Sequence, residues 1–265
     1  MKLAFSTLGV SGLPVPQVAA LAAEHGYHGV ELRTHPEEPV HPGLDAAGRA
    51  AVVEAFRAVR VEIATVAGYV RVAEAGPDEP VVAGLRELSR LAADLGAPFV
   101  RVFPGGSGQA PAEADAAAAR RLAAAAPYAA GLGVRLLLET HDSHPTGADT
   151  ARVLADVQAD GVGAIWDLMH PWLGGEEPAD TFAALAPHLG CVQVKDIASA
   201  EDTTPLPLGD GVLPLGECVE LLSRSGWEGW LCWEYERHWY PQVAPLPGLL
   251  GPARDHLMRL LADAA

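Results

Sequence analysis

Three acidic residues each follow a run of apolar residues in the second half of the chain. Glu139 ends RLLLE, Asp167 ends GAIWD, and Glu234 follows WLCW. If these runs are neighbouring parallel strands, the three carboxylates lie close together at one end of the sheet. Carboxylates this close repel one another, and a divalent cation that prefers oxygen ligands would offset the repulsion. The pattern therefore predicts a metal site formed by these three side chains.

A fourth strand-like run, CVQVKD, lies between the second and third of these acidic residues. Strand alternation places the side chains of Gln193 and Lys195 on the same side of this run. Of the 18 basic residues in the chain, only Lys2 and Lys195 are lysines. Because arginine fills almost every other cationic position, we interpret Lys195 as a compact ammonium group that the site requires. The simpler alternative is a solvated strand end.

Histidines and other polar residues stand close to the candidate ligands. Asp167 and His170 form a D-x-x-H pattern, in which the histidine can bind either a metal or a substrate hydroxyl. The alternative is an aspartate that only caps the next turn. His141 is predicted to contact the substrate, and Trp172 and Arg237 are predicted to form walls of its pocket. The few cationic residues near the strand ends allow a phosphorylated substrate but do not require one, and they are Arg33, Arg101, Lys195 and Arg237.

Strand-like and helix-like segments alternate along the whole chain. The strand-like segments recur at intervals of about 30 residues, at 3–7, 29–33, 61–68, 99–103, 135–140, 162–167, 191–196 and 229–235. The stretches between them are rich in Ala and Leu, with apolar residues three and four positions apart as in amphipathic helices. Glycines stand where these helices are expected to end in a left-handed turn, at Gly26, Gly96, Gly133, Gly161, Gly190 and Gly226.

Eight such units in 265 residues fit a closed barrel of eight parallel strands, which needs about 250 residues. Strands and helices also alternate in an open doubly wound sheet. However, eight units of even length without a phosphate-binding fingerprint favour a closed barrel. We therefore predict an α/β fold, a (β/α)8 TIM barrel, as a single domain over residues 1–265. The segments 104–114 and 198–212 are expected to be irregular loops beside the site.

Composition and charge argue against several classes of partner. The formal net charge is −16, whereas nucleic-acid binding requires Lys and Arg to displace counterions. The N-terminal residues lack the apolar region of a secretion signal, and no apolar run is long enough to span a bilayer. Three scattered cysteines are typical of packing residues in a reducing compartment. We therefore expect a cytoplasmic protein that acts on a small molecule, with no nucleic-acid or membrane partner. Barrels often pair through helices and loops, so a homo-oligomer could form through the 198–212 loop.

Several enzyme classes lack their motifs in this chain. No G-x-S-x-G, H-E-x-x-H or Walker pattern is present, which weakens the serine hydrolase, zinc protease and nucleotidase interpretations. Two carboxylates can also hydrolyse a glycoside, so a glycosidase that uses Glu139 and Glu234 is an alternative. The additional Asp167, with Gln193 and Lys195 nearby, makes a metal site the better interpretation.

The chain resembles the xylose isomerase-like TIM-barrel superfamily, the group of sugar phosphate isomerases and epimerases. The resemblance is carried by GYHGVELR, LLLETH, IWDLMHPW, VQVKD and the C-terminal stretch from LGDGVLPLGE to LCWEYE. It implies a divalent metal held by Glu139, Asp167 and Glu234, with a fourth family ligand, a histidine, that falls on Gln193. A glutamine oxygen can bind a hard cation but carries no charge. Mn²⁺ or Mg²⁺ is therefore expected first, with Co²⁺ or Zn²⁺ as alternatives.

The resemblance also implies a reaction. Glu139 and Glu234 would exchange a proton at the carbon next to a carbonyl, through an enediolate, in a small sugar, keto-sugar or cyclitol. His170 would orient a substrate oxygen, and Lys195 would neutralise the developing oxyanion. The alternatives are dehydration of an inosose-like keto-cyclitol and a sugar-binding member that has lost catalysis. The apurinic endonucleases of this superfamily are disfavoured, because this chain is acidic and has few histidines at strand ends.

Overall fold

Eight parallel strands pair in chain order, and the last strand pairs with the first to close a barrel. The computed structural model describes residues 1–157 and 159–264. The strands are β1 (Lys2–Ser6), β2 (Gly29–Arg33), β3 (Glu62–Arg71), β4 (Phe99–Phe103), β5 (Arg135–Glu139), β6 (Val162–Asp167), β7 (Leu189–Val194) and β8 (Trp230–Trp233). The predicted (β/α)8 barrel is therefore confirmed, with each strand close to its predicted position.

Helices surround the barrel and cover its outer face. They are α1 (Val15–Glu24), α2 (Ala46–Val59), α3 (Asp78–Leu95), α4 (Pro111–Gly131), α5 (Gly147–Asp156), α6 (Met169–Leu173), α7 (Pro178–Leu185), α8 (Leu215–Arg224) and α9 (Leu250–Asp263). In α3, the apolar residues at three- and four-residue spacing, Leu85, Leu88, Ala92 and Leu95, are buried against the strands. None of the helices in the described ranges is both long and apolar enough to cross a membrane.

Strand alternation divides the core into an outer and an inner part. On β5, Leu136 and Leu138 pack outward among the helices, and Leu137 packs inward. The inner cluster consists of Ala4, Ala64, Leu137, Ile165, Cys191, Trp230 and Cys232. Because side chains alternate with a period of two, the positions two residues beyond the inner residues also face the lumen. Those positions on the last four strands hold Glu139, Asp167, Gln193 and Glu234.

The three cysteines are free and buried, as expected for packing residues. The loop predicted at 104–114 is shorter than expected, because α4 begins at Pro111, a residue that suits the first turn of a helix. The 198–212 segment lies outside the helices and strands, with one isolated bridge between Ile197 and Pro205.

Five of the six predicted helix-ending glycines have positive φ angles: Gly26, Gly96, Gly133, Gly161 and Gly226. The prediction for Gly190 was wrong, because this residue lies inside β7. Helix α7 has already ended at Leu185, and the following turn closes with a hydrogen bond from the His188 amide to the Leu185 carbonyl. Glycine is needed at 190 for a different reason: a Cβ there would lie 2.8 Å from both Cδ atoms of Leu137.

Gly190→Ala is therefore expected to destabilise the fold. Adding a methyl group against Leu137 overpacks the core, at a cost of about 1–3 kcal/mol in the free energy of unfolding. Urea unfolding measures this cost. Gly131→Ala is the matched control, since a Cβ at this last residue of α4 meets no atom within 4 Å. The control should be neutral or slightly stabilising, and equal effects of the two substitutions would contradict the packing argument.

Candidate functional site

The carboxyl end of the barrel opens into a cavity of about 390 Å³. This volume suits a small-molecule ligand. The walls combine charged and aromatic side chains from β2, β3, β4 and β5 and from the segment that follows β8. They include Arg33, Tyr69, Arg71, Arg101, Phe103, Glu139, His141, Glu234, Glu236 and Trp239.

Two of these wall residues, Glu139 and Glu234, meet a third carboxylate, Asp167, at the carboxyl end of the barrel. Glu139, Asp167 and Glu234 each place one oxygen within 4.8 Å of the others, and all three side chains are buried. The sequence-based expectation that these residues converge is thus met. An unpaired buried carboxylate is costly, so the cluster needs positive charge close by.

Lys195 supplies much of that charge. Its ammonium nitrogen lies 2.6 Å from Asp167 Oδ2, 2.6 Å from Glu234 Oε2 and 2.7 Å from Glu236 Oε1. Burial alone would lower the pKa of Lys195, but the three carboxylates raise it well above its usual value. The lysine is therefore charged at neutral pH and holds three acidic side chains together.

Arg101, from β4, supplies the second positive charge. Its Nη1 donates to Glu139 Oε2 over 3.0 Å and lies 3.7 Å from Glu234 Oε1. The guanidinium also packs against the ring of Phe103, 4.1 Å from its centroid. Arg101 thus contacts both of the glutamates that are predicted to transfer a proton.

The two glutamates differ in protonation because their surroundings differ. Burial raises the pKa of Glu139 to about 8, although Arg101 and His141 oppose the shift. Burial also acts to raise the pKa of Glu234, but Lys195 and Arg101 outweigh it and bring that pKa to about 2. In the absence of a bound cation, Glu139 is therefore the more easily protonated of the two, a difference suited to acid and base roles.

Gln193 lies beside the carboxylates and fits a ligand role. Its Nε2 is within 3.3 Å of Glu31 and Glu234 oxygens, while its Oε1 is buried without a hydrogen-bond partner. An unpartnered amide oxygen is costly to bury, so a bound cation would satisfy it. With Glu139, Asp167 and Glu234, it makes a set of oxygen donors that a hard divalent cation prefers. The residues present therefore fit a divalent cation.

His170 packs against His141, which is a wall residue of the cavity. Their ring centroids are 4.1 Å apart, and each places a nitrogen within 4.8 Å of the other and of a Glu139 oxygen. Asp142 Oδ1 lies 2.9 Å from Nδ1 of His141, on the opposite edge of that ring from Nε2. Burial lowers the pKa of His170 well below its usual value, so this imidazole is neutral at neutral pH.

Trp172 and Arg237 are not brought to the cavity. Trp172 is half-buried on α6 and packs beside Pro171 and Pro178, because the short helix turns it towards α7 and α8. Arg237 follows β8 and donates its backbone amide to the carbonyl of Tyr235, but it is not a wall of the cavity. The predicted substrate contacts of these two residues are not supported by this geometry, whereas the other predicted site residues lie together.

Other residues of the site were missed or only partly anticipated. Glu31, in the middle of GVELR, faces the lumen, where burial and Glu234 raise its pKa to about 7. Arg33, at the end of the same strand, donates to the hydroxyl of Tyr69 over 2.6 Å and also pairs with Glu38. Its guanidinium lies between the rings of Tyr69 and Trp239. The sequence contained a signal for Glu31 and Arg33, since the alternation of side chains along a strand puts both on the lumen side of β2.

Comparisons with known proteins agree with this fold. The family profile described as xylose isomerase-like TIM barrel matches residues 19–260. Among curated proteins, no sequence matches this chain. A xylose isomerase domain protein from Alicyclobacillus acidocaldarius is 25% identical, with a TM-score of 0.80 over 100% of this chain and 99% of that chain.

Two further solved structures share the fold at lower identity. The IolI protein with a bound zinc atom is 16% identical, with a TM-score of 0.84 over 100% of this chain and 99% of that chain. The D-psicose 3-epimerase with D-tagatose from Clostridium cellulolyticum is 13% identical, with a TM-score of 0.84 over 98% and 99% of the two chains. Because the family profile covers residues 19–260, the chain belongs to the xylose isomerase-like TIM-barrel family.

Proposed function

We propose that this chain is an enzyme that isomerises or epimerises a small, unphosphorylated sugar, keto-sugar or cyclitol by moving a proton at the carbon next to a carbonyl. The observation that carries the proposal is the pair Glu139 and Glu234, which line one cavity with oxygens less than 4.8 Å apart. Such a pair can remove a proton and return one within a single bound substrate. The D-psicose 3-epimerase neighbour, solved with D-tagatose, supports this choice of substrate class.

A divalent cation would be held by Glu139, Asp167, Gln193 and Glu234. When bound, it would polarise the carbonyl oxygen of the substrate. The zinc atom in the IolI neighbour supports a divalent cation here. The all-oxygen donor set favours Mn²⁺ or Mg²⁺ over softer ions.

The other residues at the cavity would orient the substrate and keep Glu234 ionised. His141 and His170 would bind hydroxyl oxygens, and Tyr69, Phe103 and Trp239 would pack against the apolar face of the sugar. Lys195 and Arg101 keep Glu234 ionised, so that it can act as the base. Glu139, whose pKa is raised by burial in the absence of a cation, would return the proton as the acid.

The arginines at the cavity argue for a substrate without phosphate. Arg33 pairs with Glu38, Arg71 lies 3.7 Å from Glu74, and Arg101 pairs with Glu139. Each guanidinium that reaches the cavity therefore already has a carboxylate partner. A phosphate group would have to compete with these carboxylates and with the acidic residues at the bottom of the cavity.

Proton exchange with solvent tests the proposal. The Mn²⁺-loaded protein would be incubated in deuterated water with D-tagatose, D-fructose and an inosose, and the products followed by NMR and mass spectrometry. With an isomerase or epimerase, the sugar product carries carbon-bound deuterium and retains all its oxygen atoms. With a dehydratase, the product has lost water. The Glu139→Gln/Glu234→Gln double variant should do neither. Binding of a sugar without exchange would refute catalysis and favour a sugar-binding protein.

A further inference from the structure

The cavity has a buried end and an open end. The two glutamates of the proposed reaction are almost fully enclosed, with exposed fractions of 1% for Glu139 and 4% for Glu234. Trp239 lines the same cavity but is 55% exposed, more than any other large apolar side chain in the part of the chain that the structure describes. His35, another wall residue, is also partly exposed. The cavity therefore has an inner end at the glutamates and an outer end at His35 and Trp239.

A row of aromatic rings connects the two ends. The ring centroids of His35 and Tyr69 are 5.7 Å apart, and those of Tyr69 and Phe103 are 5.8 Å apart. The next step, from Phe103 to His141 beside Glu139, is 4.6 Å. All four rings line the cavity. Because the ring of a sugar is about as wide as one aromatic side chain, a row of four rings is longer than one sugar.

Trp239 lies beside the outer part of this row and is held there by its neighbours. The guanidinium of Arg33 lies 5.2 Å from the centroid of the Tyr69 ring and 5.7 Å from that of Trp239. The ring of His238 packs edge-on against Trp239, with centroids 4.3 Å apart. The Trp239 amide donates to the Glu236 carbonyl over 3.0 Å. A side chain that is fixed before binding loses little conformational entropy when a ligand covers it, so the exposed face of Trp239 is preorganised for stacking.

The groups around Trp239 match a sugar ring better than a wholly apolar one. A pyranose ring has an apolar face of C–H groups and a rim of hydroxyl groups. Trp239 offers a surface for the apolar face, and the side chains of His35 and Glu236 line the same cavity and can bond to hydroxyl groups. A wholly apolar ring would cover these two polar side chains without giving them hydrogen bonds, which is costly.

We propose that the outer end of the cavity, formed by Arg33, His35 and Trp239, is a binding subsite for a second sugar ring. The substrate is then a keto-sugar that is joined to a further sugar by a glycosidic bond. The cavity of about 390 Å³ falls within the range of about 300–1,000 Å³ that is typical of sites for drug-sized molecules. The reaction of the first ring rests on the proposed function, whereas the subsite for the second ring concerns binding alone.

Equilibrium binding of four sugars tests the subsite. Turanose, maltulose and isomaltulose each carry an α-linked glucose on a different oxygen of D-fructose, and D-fructose itself is the one-ring comparison. Titration calorimetry of the Mn²⁺-loaded protein should show at least one disaccharide binding about 10-fold or more tightly than D-fructose, as expected when a tryptophan anchors a ligand. Trp239→Ala should lower the affinity for that disaccharide much more than the affinity for D-fructose. Trp239→Phe, which keeps an aromatic face, should retain most of the difference.

Tyr128→Ala is the matched control. Tyr128 is also partly exposed, at 37%, but it lies on α4 outside the barrel, so this variant should bind all four sugars as the wild type does. Three results would each overturn the subsite. One is that no disaccharide binds more tightly than D-fructose, which includes no binding of any sugar. The others are that the gain survives in Trp239→Ala, or that Tyr128→Ala loses it equally.

Exchange into deuterated water, measured with the same four sugars, separates the subsite from the proposed function. Tighter binding that depends on Trp239, without proton exchange in any sugar, would support the subsite and refute the proposed reaction. Exchange with D-fructose, without any gain in affinity from a second ring, would support the reaction and refute the subsite.

Discussion

Lys195→Met is expected to lower the free energy of unfolding by about 3–5 kcal/mol, the usual cost of removing one partner from a buried ion pair. The substitution leaves Asp167 and Glu234 buried without the ammonium that lies 2.6 Å from each of them. Because methionine fills a similar volume, the loss of stability would come from the missing positive charge and not from a cavity. Urea unfolding at neutral pH measures the change.

The chain provides a matched control in its other lysine. Lys2 also pairs with a glutamate, Glu62, at 2.6 Å, but both side chains are about half exposed to solvent. Surface pairs of this kind contribute about 0–1 kcal/mol. Lys2→Met should therefore change the free energy of unfolding little. A loss in Lys195→Met no larger than that in Lys2→Met would show that the buried ammonium does not hold the carboxylates together.

The same variant connects stability with cation binding. In the wild type, a divalent cation must share Asp167 and Glu234 with Lys195. Without the ammonium, the carboxylates should bind a cation more tightly, and ligand binding to the folded state raises its stability. Saturating Mn²⁺ should therefore raise the melting temperature more in Lys195→Met than in the wild type. An equal rise in both proteins would mean that the cation and Lys195 do not compete for the same oxygens.

The fold and the main site residues could be predicted because both depend on local periodicity. An acidic residue that ends an apolar run must stand at the carboxyl end of a strand, and neighbouring strands bring such residues together. This reasoning placed Glu139, Asp167 and Glu234 correctly, and alternation on β7 placed Gln193 and Lys195 beside them.

Contacts across the barrel could not be predicted in the same way. Glu31 on β2 lies beside Gln193 on β7 because the barrel is closed, and 162 residues separate the two in the sequence. Trp172 was misplaced for a related reason. Its direction depends on how the short helix α6 packs against its neighbours, which no strand periodicity determines. Gly190 was misassigned because a glycine before a strand can end a helix or make room for a side chain, here Leu137.

Glu139→Gln is expected to slow the exchange of substrate protons with solvent by about 10²–10⁴-fold, the usual contribution of a general acid or base. Glutamine reproduces the size of Glu139 and keeps one side-chain oxygen, but it has no carboxyl group to transfer a proton. The fold should therefore be little affected. Exchange into deuterated water, measured beside equilibrium binding of the same sugar, separates proton transfer from binding.

Glu139 is also a proposed cation ligand, so bound metal must be measured in the same samples. Glu236→Gln is the comparison variant, because Glu236 lines the cavity and contacts Lys195 but has no assigned role in proton transfer. It should slow exchange far less than Glu139→Gln. If Glu139→Gln retains the metal, binds the sugar and exchanges protons at the wild-type rate, Glu139 is not the acid. Proton transfer would then have to proceed from Glu234 alone, which can exchange a proton on one face of the substrate but cannot deliver one to the opposite face.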